Sequence, residues 1–225
     1  MRINNDLTVP VIVRAARLPW TPSPAAGVDR RMLFRIGDEV AHATSIVRYA
    51  PRSVFPRHTH GGGEEIVVLD GVFQDEHGDY PAGSYFRNPP GTSHIPASND
   101  GCTIFVRLWQ FRDGDRGQIV RRPAEGRPLE PRPGAASAIE LFDDGFESVR
   151  FESWMPDKPI VIENVRGLEA LVLAGSVSIG DQMLTSQSWA RLPAGQALRA
   201  VSGPEGAKVW LKDAPLLHQD VRRLP

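Results

Sequence analysis

Glycine and proline punctuate the whole chain, and this feature constrains the fold more than any other. The 225 residues include 21 glycines and 20 prolines, spread along the sequence. Helix interiors exclude both residues, and both mark turns between short strands. The runs between them are rich in Val, Ile, Phe and Tyr at strand length: residues 31–36, 40–49, 65–69, 103–111 and 168–173. The sequence predicts an all-β protein, with one short helix at residues 216–224.

Composition excludes several classes of protein. The formal net charge of −1 gives no long-range attraction to nucleic acid or to an anionic membrane. No run approaches the roughly 18 apolar residues of a transmembrane helix, and the N-terminus lacks the apolar segment of a signal peptide. The single cysteine, Cys102, excludes an internal disulfide and a Cys-rich zinc module. We therefore expect a cytoplasmic protein.

The chain contains a repeat. Residues 67–71 recur as residues 171–175, residues 89–91 as 193–195 and residues 105–106 as 209–210, all at a spacing of 104. Residues 47–49 match residues 149–151 at a spacing of 102, which a two-residue insertion would explain. A shared spacing across separate strands predicts a duplicated unit. The alternative is that two all-β halves have a similar succession of strands and glycines without being copies of one unit.

The repeat suggests a division of the chain. We expect an N-terminal arm at residues 1–24, a first unit at 25–111, a second unit at 138–213 and a C-terminal tail at 214–225. Residues 112–137 are rich in Pro, Gly and Arg, which is typical of a linker, with an edge strand at 118–121.

Three of the six histidines lie close together in the sequence pattern. His58 and His60 alternate along a predicted strand, so their imidazoles point to the same side. Three glycines follow, which let the backbone bend around a small object, and Glu64 precedes an apolar strand that ends in a turn at Gly71. A Pro-Gly turn returns His94 towards the first strand. Three imidazoles and a carboxylate favour a first-row transition metal, so His58, His60, Glu64 and His94 are the predicted ligands. No catalytic residue and no organic cofactor is predicted.

This spacing resembles the two motifs of the cupin superfamily. Eight positions match: His58, His60, Glu64 and Gly71 in the first motif, and Gly83, Pro89, Gly91 and His94 in the second. One position of the second motif departs, because Ser98 stands where the family has asparagine. Glu65 is the rival carboxylate, but only Glu64 has the family's spacing to Gly71. The resemblance implies a bicupin with two tandem barrels of the double-stranded β-helix, or jelly-roll, type.

The residues between the two motifs resemble those of one subfamily. Residues 60–65, 75–83 and 87–91 are similar to the C-terminal cupin of ChrR-type anti-sigma factors, and the resemblance is good over residues 31–111. It implies zinc binding and a part in the response to singlet oxygen and related oxidants. Those proteins bind their sigma factor through a separate helical domain with a His-x3-Cys-x2-Cys motif, which this sequence lacks. We do not expect sigma-factor binding through this chain alone.

The second half lacks the predicted ligands. At a spacing of 104, the four ligand positions become Ile162, Asn164, Leu168 and Leu198. Aliphatic side chains restore core packing where unsatisfied polar groups would be costly. We expect a degenerate, metal-free second barrel and one divalent transition metal per chain. Zinc is favoured, and iron, manganese and nickel remain open.

Two classes of function remain open. The first is a zinc-binding sensor or regulatory module in an oxidant response, similar to an anti-sigma factor only in its cupin. The second is a metal-dependent dioxygenase acting on a small carbonyl or enol substrate, with Arg107 near the pocket as an anion partner. A small molecule and a second copy of the chain remain open as partners, whereas nucleic acid and membrane are not expected.

The remaining histidines and the cysteine are predicted to lie outside the site. We expect His77 to be solvated at a hairpin tip, His42 to have a structural role within a strand and His218 to lie on the surface. Cys102, without a neighbouring histidine, is not expected to be reactive.

Overall fold

The computed structural model describes all residues from Met1 to Pro225. Its only helix is a three-residue 3-10 turn at Ala15–Arg17, and no helix is long and apolar enough to cross a bilayer. The strands are β1 (Arg2–Ile3), β2 (Val11–Arg14), β3 (Thr21–Pro22), β4 (Val28–Gly37), β5 (Ala41–Tyr49), β6 (Ser53–Val54), β7 (His58–Thr59), β8 (Glu64–Asp75), β9 (Gly78–Pro81), β10 (Tyr85–Asn88), β11 (Ser93–His94), β12 (Ala97–Ser98), β13 (Cys102–Leu108), β14 (Ile119–Arg121), β15 (Arg127–Leu129), β16 (Ala135–Asp143), β17 (Ser148–Trp154), β18 (Pro159–Ile162), β19 (Leu168–Ile179), β20 (Gln182–Thr185), β21 (Ser188–Leu192) and β22 (Leu198–Asp213).

The all-β prediction is confirmed, and the predicted C-terminal helix is wrong. Residues 216–224 contain a bend at 216–217 and a turn at 219–220, and Val221 makes an isolated bridge with Arg112. Pro215 and Pro225 flank a segment of only nine residues, which is too short to form a stable helix without packing of its own. The structure also has a strand at Ile119–Arg121, as expected from the sequence.

The chain divides into two compact units. Unit 1 comprises Met1–Asn5, Pro19–Ala124 and Leu217–Pro225, and unit 2 comprises Asp6–Leu18 and Glu125–Leu216. The N-terminal strand β2 therefore belongs to unit 2, where it pairs with β21. Strand β14, which follows the first repeat in sequence, belongs to unit 1 and pairs with β10.

Unit 1 is built on an antiparallel sheet with the strand order β1-β4-β5-β13-β8-β10-β14, and β7 and β11 form a separate two-stranded pair. Strands β8 and β13 contain continuous apolar runs, and residues 64–68 and 102–107 are buried on both faces of the sheet. Ile66, Val68, Ile104 and Val106 are each at most 4 % exposed and form the core with the ring of Phe73.

Unit 2 has the same sheet order, position by position: β15-β16-β17-β22-β19-β21-β2. Its core is apolar and contains Trp154, Ile160 and Leu211. The hairpin β19–β20 repeats the hairpin β8–β9, since Ile179 lies opposite Gln182 as Asp75 lies opposite Gly78. The shared strand order and hairpin register agree with the predicted duplication.

The registers correct part of the sequence alignment between the repeats. Val67 pairs with Tyr85, and Leu171 pairs with Trp189, which confirms the spacing of 104 around these strands. In unit 1, however, Tyr49 lies opposite Cys102, and in unit 2 Trp154 lies opposite Ala207. Tyr49 therefore aligns with Trp154 and Cys102 with Ala207, at a spacing of 105 residues. The spacing of 102 predicted for residues 47–49 is wrong, and so is the spacing of 104 for residues 105–106, which align with residues 210–211. A motif of two or three residues is too short to specify register, and an odd shift exchanges the faces of a strand.

Gly71 lies within a strand and not in a turn. Strand β8 continues to Asp75, and Gly71 has a φ of +70°. A Cβ at this position would lie 2.2 Å from the carbonyl oxygen of Gly101. Glycine is thus required for the close approach of two backbones, and the paired register shifts here between Thr103 and Ile104.

Candidate metal centre

Two short strands bring the predicted ligands together. His58 in β7 lies directly opposite His94 in β11. His60 follows β7 immediately, and its backbone is tied to the Pro-Gly turn because His60 N donates to Thr92 O at 2.8 Å and Gly91 N donates to His60 O at 2.9 Å. Glu64 is the first residue of β8. The predicted turn at Gly91, with φ of +93°, thus returns His94 to the first strand.

The four side chains form one cluster. Their potential ligand atoms all lie within 4.8 Å of one another. Glu64 Oε2 is 3.3 Å from His60 Nε2 and 3.4 Å from His94 Nε2. His60, Glu64 and His94 are buried, whereas His58 is exposed. The cluster is therefore largely buried and reaches solvent at His58.

The hydrogen bonds of the imidazoles define their tautomers. Thr92 Oγ1 donates its proton to Pro89 O at 2.8 Å, so it accepts from His60 Nδ1 at 2.9 Å. Pro56 O, which only accepts, lies 3.4 Å from His58 Nδ1. In both residues the proton is on Nδ1, and the Nε2 lone pair is free to bind a metal.

His94 has the same tautomer for a different reason. Its Nδ1 lies 3.4 Å from a carboxylate oxygen of Asp75, which accepts the Nδ1 proton. The Nε2 atoms of His60 and His94 are buried and have no hydrogen-bond partner. Buried nitrogens without a partner are costly unless something binds them. Together with the Glu64 carboxylate, this donor set fits a divalent transition metal.

Burial and charge have opposite effects on the two enclosed imidazoles. Burial lowers the pKa of His60 to about 4, with His94 and His58 contributing in the same direction against the charge of Glu64. Burial also lowers the pKa of His94, but the hydrogen bond to Asp75 and the charge of Glu64 outweigh it, so the pKa is raised. His60 is thus neutral at pH 7, which is the ligating form of imidazole.

The three glycines serve packing and not the enclosure of a small object. A Cβ on Gly62 would lie 2.3 Å from Trp109 Cδ2, and one on Gly61 would lie 2.5 Å from the same ring. Gly63, with φ of +82°, lies against the ring of Phe111. The loop between His60 and Glu64 is therefore covered by two aromatic rings, which only glycine allows at this distance.

Aromatic rings fill the interior of unit 1 beside His94. The Phe73 ring lies 5.8 Å from the His94 ring and 5.4 Å from the Phe86 ring. Tyr49 contacts Phe73 edge-on at 5.7 Å, and Tyr80 contacts Phe86 at 4.8 Å. The side of the cluster that faces the interior is therefore packed, in contrast to the solvent side at His58.

Glu65 and Arg107 do not belong to the cluster. Adjacent residues of a strand point to opposite faces, so Glu65 faces away from Glu64. Arg107 lies opposite Glu65 in the neighbouring strand and donates to its Oε2 at 2.7 Å, with both side chains at most 3 % exposed. The expectation that Arg107 lies near the pocket is wrong, because its partner is a carboxylate on the other face.

The other histidines mostly follow expectation. His77 is exposed, and His42 donates from Nδ1 to the carbonyl of Trp109 within unit 1. His218 is 6 % exposed, so its predicted surface position is wrong. Cys102 is buried, and burial raises the pKa of its thiol to about 11, which agrees with an unreactive side chain.

In unit 2 the equivalent positions carry three aliphatic side chains and one asparagine. Ile162 lies opposite Leu198, as His58 lies opposite His94, and both belong to the apolar core with Leu168. Asn164, in place of His60, donates to three backbone carbonyls and accepts from Gly167 N at 2.7 Å. The polar side chain is satisfied by the loop itself.

Sequence reasoning missed the groups that hold the side chains of the candidate ligands. Asp75, Thr92 and Asn88, whose Nδ2 donates to Glu64 Oε2 at 3.4 Å, were not recognised as part of the site. One signal was available in the repeat, because Asp75 aligns with Ile179 in the half that has lost the ligands.

The chain has the cupin fold, which the similar solved structures share, and its His/Glu cluster lies at the positions of the two cupin motifs. More particularly, residues 8–112 match the family described as the ChrR cupin-like domain. No curated protein matches the chain.

Several solved structures have the same fold. A proposed dioxygenase from Nostoc punctiforme has a TM-score of 0.73 at 16 % identity, over 97 % of this chain and 87 % of that one. The pirin YhhW from Escherichia coli, in complex with nickel(II), has a TM-score of 0.67 at 15 % identity, over 92 % and 99 % of the two chains. A variant of oxalate decarboxylase from Bacillus subtilis has a TM-score of 0.62 at 12 % identity, over 91 % and 77 %. At these identities the likeness establishes the fold alone.

Proposed function

We propose that unit 1 binds one divalent transition metal through His58, His60, Glu64 and His94. The observation that carries the proposal is the pair of buried Nε2 atoms of His60 and His94, which have no hydrogen-bond partner and lie beside the Glu64 carboxylate. A metal ion supplies the missing partner for both nitrogens. Three neutral imidazoles and one carboxylate leave a bound M²⁺ ion with a net positive charge.

The role that we propose for this centre is a zinc-dependent sensor or regulatory module in a response to oxidants. The match to the ChrR cupin-like domain supports this role. The packing around the cluster supports it as well, because aromatic rings occupy the interior beside His94 and leave little space there for an organic substrate. The exposed His58 is the ligand that a small diffusible oxidant would reach first.

A second candidate is a metal-dependent dioxygenase for a small carbonyl or enol compound. The exposure of His58 favours it, since a metal open to solvent on one side can accept substrate and oxygen. The fold shared with a proposed dioxygenase is compatible with this activity but does not select it.

Elemental analysis separates these candidates. The full chain is purified without added metal or chelator, and the metal-to-protein ratio is determined. About one zinc per chain supports the sensor, and about one iron, found as Fe(II), supports the oxygenase and leads to oxygen-uptake assays with diketones and phenolic ketones. A chain that takes up neither metal, even when zinc or Fe(II) is supplied, contradicts both.

The sensor role has its own test. Zinc-loaded protein is illuminated with a singlet-oxygen sensitiser, and the zinc released is measured with a chromophoric chelator. We expect zinc release together with oxidation of the peptide that contains His58. Release that begins only after the protein unfolds, or no release, contradicts the sensor role.

A further inference from the structure

We infer that Asp75 is a positioning residue of the metal centre, which selects the His94 tautomer that presents Nε2 to the metal, and that Tyr80 holds Asp75 in place. The inference rests on the proposed metal-binding function, because it assigns the groups that prepare one of its ligands.

The first argument is that the two carboxylate oxygens of Asp75 have different hydrogen-bond partners. Oδ1 accepts from His77 N at 2.8 Å, from Gly78 N at 3.2 Å and from the Tyr80 hydroxyl at 3.1 Å. Oδ2 faces His94 Nδ1 at 3.4 Å, and the Asp75 side chain is only 5 % exposed. Three donors therefore fix the orientation of the carboxylate. A carboxylate oxygen accepts hydrogen bonds and does not donate them. Oδ2 can therefore bond to His94 Nδ1 only when that nitrogen carries the proton.

The second argument comes from unit 2. The hairpin β19–β20 has the same register as β8–β9, and in it Asp75 is replaced by Ile179 and Tyr80 by Leu184. The hairpin thus forms without the carboxylate and without the hydroxyl. Both polar groups are absent from the unit in which Leu198 replaces His94. Asp75 and Tyr80 therefore occur in the unit that has the His94 imidazole, and the backbone of the hairpin does not require them.

The substitution Asp75→Asn gives a specific test. The three donors around Oδ1 require an acceptor, so the amide oxygen of the asparagine takes that place. Its NH₂ group then faces His94 Nδ1 and repels the Nδ1–H tautomer. The imidazole should move its proton to Nε2, the atom that the metal needs. We expect the affinity for zinc to fall about 10- to 100-fold, as for other partners of ligating imidazoles.

Two readouts are measured on the full chain. The zinc dissociation constant comes from competition with a chromophoric chelator. The tautomer of His94 comes from the ¹⁵N chemical shifts of its ring in metal-free protein, assigned by the signals lost in His94→Gln. Tyr80→Phe, which removes one of the three donors to Oδ1, should cause a smaller loss of affinity than Asp75→Asn. It keeps the test available if Asp75→Asn does not fold.

Glu76→Gln is the matched control. It removes the same charge one residue away, from a carboxylate that accepts from Ile95 N, pairs with Arg57 and makes no hydrogen bond with a ligand imidazole. We expect no change of tautomer and little change in affinity. Any of three results would overturn the inference. These are an equal loss of zinc affinity in Glu76→Gln, a loss of affinity in Asp75→Asn without a change of the His94 tautomer, or an unchanged affinity in Asp75→Asn.

The failure of the proposed function is distinguishable from the failure of this inference. If the wild-type chain binds no zinc, Fe(II) or other divalent metal, the proposed function fails. The tautomer of His94 in metal-free protein still shows whether Asp75 selects it, because that measurement needs no metal.

Discussion

His58 and His94 are direct partners across the two-stranded pair β7–β11, with their rings 4.9 Å apart. At the same place in unit 2, Ile162 and Leu198 are partners in the pair formed by β18 and β22. The backbone pairing is therefore common to both units, whereas the two imidazoles are present only in unit 1. This contrast provides internal controls for most tests of the site.

The first prediction concerns the stoichiometry of metal binding. His60→Ala should abolish metal binding, because it removes an enclosed donor of the cluster. Asn164→Ala, the equivalent change in unit 2, should leave the metal-to-chain ratio unchanged and lower thermal stability, since it leaves backbone carbonyls without a donor. Elemental analysis and thermal unfolding of both variants provide the measurement. Equal loss of metal in the two variants would show that unit 2 also binds metal.

The second prediction concerns removal of the metal. A ligand that binds only the folded state stabilises it by about 2.7 kcal/mol when its free concentration is 100 times its dissociation constant. Chelation should therefore lower the unfolding temperature of the wild-type chain, and zinc should restore it. The His60→Ala variant is the control, and its unfolding temperature should not respond to chelator or to zinc. A wild-type chain that is equally insensitive would contradict the site.

The third prediction concerns the glycine loop. In Gly62→Ala the new methyl group would lie 2.3 Å from Trp109 Cδ2, so the ring or the loop must move. Overpacking of this kind typically costs about 1–3 kcal/mol, and we expect weaker metal binding and a change in tryptophan fluorescence. Gly114→Ala is the control, since nothing lies within 4 Å of a Cβ at that position. Similar results for the two variants would mean that the Trp109 contact has no role in the loop.

The fourth prediction concerns the buried ion pair on the other face of β8. Arg107→Met leaves the Glu65 carboxylate buried without this cation, and breaking a buried pair typically costs about 3–5 kcal/mol. Metal stoichiometry should not change, because Glu65 faces away from the cluster. Arg127→Met is the comparison, since the Arg127 side chain is 67 % exposed and the loss of its pair with Glu140 should matter much less. Urea unfolding and elemental analysis measure both effects.

The fifth prediction concerns pH and unit 2. Burial raises the pKa of Glu152, but hydrogen bonds from Arg132 and Trp154 and the charge of Arg132 outweigh it, so the pKa lies below its ordinary value of 4.5. A carboxyl with a lowered pKa in the folded state contributes stability above the unfolded pKa, and this contribution is lost as the pH falls through the folded pKa. The free energy of unfolding of wild type should therefore exceed that of Glu152→Gln most at pH 6–7.

The difference between wild type and Glu152→Gln should narrow as the pH falls below 4.5. Urea unfolding at a series of pH values measures it directly. A difference that stays constant from pH 7 to pH 3 would show that Glu152 does not titrate with folding.

Much of the site was accessible from the sequence because its determinants are local. The alternation of side chains in a strand places His58 and His60 on one side, and the spacing from Glu64 to Gly71 distinguishes Glu64 from Glu65. The glycines and prolines exclude long helices and mark strand boundaries, which determines the all-β class. Loss of the ligands in the second half also followed from the repeat, since Ile162 and Leu198 can be identified by counting residues.

Tertiary structure decided the features that depend on register and on side-chain hydrogen bonds between distant segments. Asp75 reaches His94 across 19 residues, and Thr92 reaches His60 across 32. No local period encodes such contacts, because they depend on how hairpins and loops pack around a common centre. The partner of Arg107 likewise required the register of β13 on β8, since a shift of one residue would have turned its side chain to the opposite face. The identity of the candidate ligands is thus a property of the sequence, whereas the orientation of their side chains is a property of the fold.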